Sequence, residues 1–195
     1  MRTRLLATLI GAIATDTLLL YQIPVMVRAG LSLGTAAAVA GFRGLAQLAG
    51  RLPLGRLISR LGARTTIVVA YILGAVAALL LWVSGTLVLA LVFSLMAGAS
   101  IGALSSLQGI YTHELVDARH LGALLGTQQA VFGVGAALGP LLAGSLLEIT
   151  RSYTPTILIV IIAFAAAAGV LVYGAMRERS PAARMTSSTR DEGLA

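Results

Sequence analysis

The chain has 195 residues, 58% of them hydrophobic and only 11% charged, with a formal net charge of +7 and a mean hydropathy of +0.95. A soluble domain carries roughly 25% charged residues, so this composition excludes one and specifies an all-α polytopic membrane protein. Cysteine, lysine and asparagine do not occur, which excludes disulfides, thiolate metal sites, N-glycosylation acceptors and an ATP-binding phosphate loop with its lysine.

A bilayer-crossing helix needs about 20 mainly apolar residues, and six runs provide them, at 5–27, 33–54, 65–83, 87–107, 121–147 and 154–176. The first follows Met1-Arg-Thr-Arg4 and contains Ala12-Ile13-Ala14, the outline of a secretory signal with a small-residue cleavage site. The apolar run continues to Val27, far beyond such a site, and its removal would leave an odd number of spans. It therefore reads as an uncleaved span. Asp16 lies near its middle, with Thr15, Tyr21 and Gln22 nearby. The second span places Arg43 at a comparable depth, then Gln47 and Arg51 at i+4 and i+8, one polar stripe along a helix face. A charge at mid-bilayer costs several kcal/mol and faces a cavity or a partner.

Two readings follow for Asp16 and Arg43. In one, Arg43 holds an anionic small-molecule substrate through its planar fork of donors, and Asp16 is its partner in the empty site or the carrier of a coupling proton. Gln47, Tyr21 and Gln22 then complete the substrate-binding set. In the other, Asp16 and Arg43 form a structural ion pair, Arg51 snorkels to headgroups, and the neutral polar residues only join helices.

Between the second and third spans, Gly55-Arg-Leu-Ile-Ser-Arg-Leu-Gly-Ala-Arg64 reads as a tight loop turning on Gly55 and Gly62. Ser84-Gly85 joins the third and fourth spans. The fourth contains Gly98-Ala-Ser100-Ile-Gly102, a formal Gly-x-Ser-x-Gly. As a nucleophile that serine needs a strand-turn-helix elbow or a base in reach. An intramembrane serine protease would need a histidine in the last span, where none occurs, so the chain does not read as an enzyme. Gly98/Gly102 and Gly135/Gly139 have the spacing of helix-packing seams, and Pro24, Pro53 and Pro140 mark kinks. His113, Glu114, Asp117, Arg119 and His120 gather before the fifth span and read as solvated charge, not a metal site. Gln128 and Gln129 open the fifth span, and Thr154-Pro155 reads as a cap and first residue of the sixth. Residues 177–195 are polar and read as a disordered tail to a six-helix module at 1–176.

With the N-terminus inside, Arg2, Arg4, Arg56, Arg60, Arg64, Arg119, Arg177, Arg179, Arg184 and Arg190 fall on the inner side and only Arg28 and Arg151 on the outer. The positive-inside rule then puts both termini in the cytoplasm. Arginines that flank apolar spans fit a membrane-lipid surface and exclude nucleic acid. The exclusive use of arginine points to GC-rich bacterial coding and a bacterial inner membrane.

The loop resembles the signature of the major facilitator superfamily, Gly-x-Leu-x-Asp-Arg-x-Gly-Arg-(Arg/Lys), with Gly55, Leu57, Arg60, Gly62 and Arg64 matching. Ser59 replaces the acid and Ala63 an arginine, as in the degenerate copy of the family's second half. The glycine-rich run from Gly133 to Gly144 resembles the family's eleventh helix, and Ser152-Tyr153-Thr154-Pro155 the opening of its twelfth. The resemblance implies one half of the major facilitator fold and secondary transport by alternating access without a cofactor. In members that move monocarboxylates or oxalate-like anions, an arginine of the eighth helix anchors the carboxylate, and Arg43 lies in the corresponding span. Family members pair two six-helix halves, so the resemblance also implies a homodimer, a separate N-terminal half, or a non-transporting fragment.

Overall fold

Without water, every backbone N–H and C=O in a bilayer must be satisfied within the protein, by helices or a closed barrel, and the chain answers with helices alone among the described residues. The computed structural model describes residues 2–113 and 118–179, with side chains placed for 3–107 and 122–177. The elements are α1 (Arg2–Arg28), α2 (Leu33–Arg51), α3 (Leu54–Leu61), α4 (Ala63–Trp82), α5 (Leu87–His113), α6 (Ala118–Thr150) and α7 (Thr154–Arg179). Five of them, α1, α4, α5, α6 and α7, are long and apolar enough to cross a membrane. Helix α2 occupies the expected second span, but Arg43, Gln47 and Arg51 dilute its apolar run.

Local chemistry sets the ends. Ser32 caps α2 by accepting the Thr35 N–H at 3.1 Å. Pro53, which has no N–H, follows the end of α2, so the helix stops at Arg51 and not at 54. The expected tight loop is instead the eight-residue helix α3, with Gly55 inside it in ordinary helical geometry. Only Gly62 makes the turn, at φ 80° and ψ 154°, a conformation essentially confined to glycine. At α7 the Tyr153 carbonyl already accepts the Ile157 N–H, and Ser152 Oγ accepts from the Thr154 N–H at 3.2 Å. Tyr153 thus takes the cap position, Thr154 is the first helical residue, and Pro155 sits one place later than the sequence pattern suggests. Residues Glu114 and Asp117 of the expected polar cluster lie outside the described residues, as does the tail from 180 onward. His113 ends α5, and Arg119 and His120 open α6.

Helices pack in the spatial order α2, α5, α4, α7, α1, α6, while the sequence neighbours α1 and α2, and α5 and α6, touch only lightly. Exchanging α1 with α5, α2 with α6 and α4 with α7 maps this pattern onto itself, so the module consists of two similar three-helix units. Lipid supplies no hydrophobic drive between helices, so close packing of small residues does the joining. Gly98 lies against the Arg43 carbonyl and Ala46, Gly102 against the Gln47 carbonyl, and Gly50 against the backbone of Ala99. The equivalent α1–α6 seam repeats the device, with Gly135 against the Leu9 carbonyl and Gly139 against Ile13 and Thr17. Hydroxyls reinforce the seams: Ser94 donates to the Val39 carbonyl at 2.8 Å and Ser100 to the Ala70 carbonyl at 2.7 Å. At the centre, Phe93 and Phe164 are fully buried, and Tyr71 packs on Phe164 while donating to the Ala7 carbonyl at 3.2 Å.

Candidate functional site

Each charged residue of the spans is placed by a seam. Gly98 and Gly102 bring α2 onto α5 at the backbone of Arg43 and Gln47, which sets the height of that helix. Gly139 does the same for α1, on the turn that carries Asp16 and Thr17. Arg43 and Asp16 are both half-buried.

The two do not form an ion pair. Arg43 Nε donates to Gln22 Oε1 at 3.1 Å, across the lightly packed α1–α2 boundary. Gln22 is held for this by its own amide, which donates to the Leu19 carbonyl at 2.9 Å. Arg43 Nη1 is buried without a hydrogen-bond partner, and so is Asp16 Oδ2. The structural-pair reading therefore does not describe this conformation. A buried donor of a charged group left unpaired is costly, and here two opposite charges each carry such an atom.

Gln22 and Arg43 are the sequence-predicted residues that the fold brings into contact. Tyr21 turns the other way: its hydroxyl donates to the Pro140 carbonyl of α6 at 3.4 Å, and its ring meets Tyr153 at 6.2 Å. Gln47 is half-buried on the same face of α2 as Arg43, with its backbone under Gly102. Arg51, at the end of the stripe, donates to Ser105 Oγ at 3.3 Å. Among the signature residues, Gly55 and Arg60 are exposed on α3, Leu57 is half-buried, Gly62 forms the turn and Arg64 is half-buried on α4. Gln129 is exposed on α6, whereas Gln128 is half-buried and engaged. Two residues went unread in the sequence. Thr17 is fully buried with its hydroxyl unpartnered, beside Gly139, and Ser105 holds Arg51. Adjacency to Asp16 was the available signal for Thr17; nothing local marks Ser105.

The remaining arginines are segregated. Thr3 meets Gly174, so the start of α1 and the end of α7 share one face of the bundle with Arg4 and Arg177. Arg51, α3 and Arg64 join that face. Arg28 lies at the opposite face, its guanidinium 5.6 Å from the ring of Tyr153, two residues after Arg151 in the chain. Ser100, fully buried in the middle of α5 with its hydroxyl given to Ala70, is a packing residue and not the tip of a nucleophile elbow.

A family model described as Major Facilitator Superfamily matches residues 5–194, nearly the whole chain. The chain belongs to the Major Facilitator Superfamily. That family is one of membrane transporters, and the apolar helices agree with a multi-pass membrane protein. No curated protein matches the chain. Within the superfamily's architecture, the helix order and the two three-helix units described above are those of one six-helix half.

Proposed function

We propose that this chain forms one half of a secondary transporter that moves a small organic anion across a bacterial inner membrane by alternating access, with both termini in the cytoplasm. The observation that carries the reading is Arg43: one guanidinium nitrogen is fixed by Gln22, and another, buried, has no partner. A guanidinium aimed in this way offers a carboxylate a charge-assisted donor in a low-dielectric setting. Gln22 orients the fork, and Gln47 extends the polar stripe toward the arginine-rich face. Asp16, whose Oδ2 is equally unpaired, is the candidate carrier of a coupling proton. The path needs a second six-helix wall. Helices α2 and α6 stand at the ends of the packing order, and α6 is the least buried of the five apolar spans, so a second copy or a separate N-terminal half would meet the bundle there.

The test uses the full chain in proteoliposomes, alone and with a candidate N-terminal half, with labelled acetate, lactate and oxalate as probes. Arg43→Ala is expected to abolish uptake of every carboxylate that the wild type moves, while helical content is retained. A hydrogen bond to a charged group contributes about 1.5–3 kcal/mol, so Arg43→Ala lowers apparent affinity roughly 10- to 150-fold. Unchanged carboxylate uptake by the variant would remove the anchor role. A native mass measurement in lipid nanodiscs, monomer against dimer, decides whether a second copy supplies the other wall.

A further inference from the structure

Helix α3 sorts its residues by chemistry around its axis. At 100° per residue, Leu54, Leu57, Ile58 and Leu61 fall on one side and Gly55, Arg56, Ser59 and Arg60 on the other. Leu54 is buried and Ile58 packs on the core, so part of the apolar side pins the helix to the bundle. The rest is uncovered: Leu61 is 50% exposed, and Leu52, just before the helix, is 85% exposed. Arg56 and Arg60 are exposed and one turn apart, with exposed Arg51 on the same face of the bundle.

Among the described side chains, charge at this surface is one-sided. The acidic side chains that the structure places are Asp16, half-buried inside the bundle, and Glu148, near the opposite end of it. Neither can neutralise Arg56 or Arg60. Helix α3 connects the end of one span to the start of the next, which sets it at headgroup depth in any bilayer the bundle crosses. An amphipathic helix with arginines on one side and bare leucines on the other lies in the interface plane and is drawn to anionic lipid.

We propose that α3 is an interfacial helix that binds anionic phospholipid headgroups, with Arg56 and Arg60 contacting the phosphate and Leu52 and Leu61 entering the acyl boundary. Charge complementarity selects the occupant. A phosphatidylglycerol headgroup brings one uncompensated negative charge to the arginine pair, whereas phosphatidylcholine brings its own cation. This inference needs only membrane insertion; it is independent of the Arg43 site, of the transported solute and of which compartment the arginine-rich face meets.

The test is lipid titration of the purified full chain, read by native mass spectrometry, with phosphatidylglycerol against phosphatidylcholine. Wild type is expected to retain phosphatidylglycerol preferentially. At about 1 kcal/mol per arginine near a charged surface, the pair Arg56→Gln and Arg60→Gln should weaken that retention roughly 30-fold and remove the preference. The single change Arg60→Gln, which keeps one arginine should the pair fail to fold, should weaken it about 5-fold. Arg28→Gln, at the opposite face, should leave it unchanged. Equal retention of both lipids by wild type, full retention by the double variant, or an equal loss in Arg28→Gln would each overturn the proposal.

Discussion

Gly98 offers the sharpest mechanical test of how the bundle holds Arg43. A Cβ added there would lie 2.5 Å from the Arg43 carbonyl oxygen and 2.6 Å from Ala46 Cβ, while ordinary contact begins at 3.4 Å. Restoring 3.4 Å from 2.5 Å requires α2 and α5 to part by about 0.9 Å, and the obstacle is backbone, which cannot rotate away. Overpacking of this kind costs roughly 1–3 kcal/mol. Gly44, one residue from Arg43 on the same helix, has nothing within 4 Å of its would-be Cβ. There, alanine should gain about 0.5–1 kcal/mol from helix propensity. The two substitutions are chemically identical and should move stability in opposite directions. At roughly 2–4 °C per kcal/mol for a chain of this size, the apparent melting midpoints of Gly98→Ala and Gly44→Ala should differ by roughly 3–15 °C. Circular dichroism at 222 nm in one detergent would measure it. Equal midpoints, or a more stable Gly98→Ala, would mean that the α2–α5 seam is not closed through this glycine. The seam could then not be what sets the height of Arg43.

Gly62→Ala should lower the midpoint through about 1–3 kcal/mol of backbone strain at φ 80°, since its surroundings are open, whereas Gly55→Ala, helical and equally open, should not; the same melts check both. Tyr71→Phe removes the hydroxyl given to the Ala7 carbonyl and should cost about 1 kcal/mol, with no effect on solute uptake beyond that instability. Asp16→Asn should keep counterflow exchange of a carboxylate across proteoliposomes but abolish its acceleration by an imposed proton gradient; an undiminished gradient response would discard Asp16 as the proton carrier.

Much of the architecture was legible because a bilayer imposes so few solutions. Composition and run length alone specify the six long helices and place most of their ends to within a few residues, since an apolar stretch of about 20 residues has little else to become in lipid; the short α3 was not among them. The glycine pairs at 98/102 and 135/139 could be read as seams for the same reason: in lipid, small residues are how helices approach. Local signals misled where they were ambiguous. Gly55 and Gly62 look alike in sequence, and only the chain path assigns the turn to Gly62 and leaves Gly55 inside a helix. The site divides in the same way. That Asp16 and Arg43 are costly, and therefore significant, follows from charge and apolar surroundings with no structure at all. Who faces whom does not, because partners are set by helix rotation and height. Rotation sends Tyr21 to α6 and Gln22 to Arg43, and it leaves Asp16 Oδ2 and Arg43 Nη1 each without the partner that their similar depth had suggested. Periodicity gives the face of a single helix, but the neighbour on that face is decided only when six helices pack together.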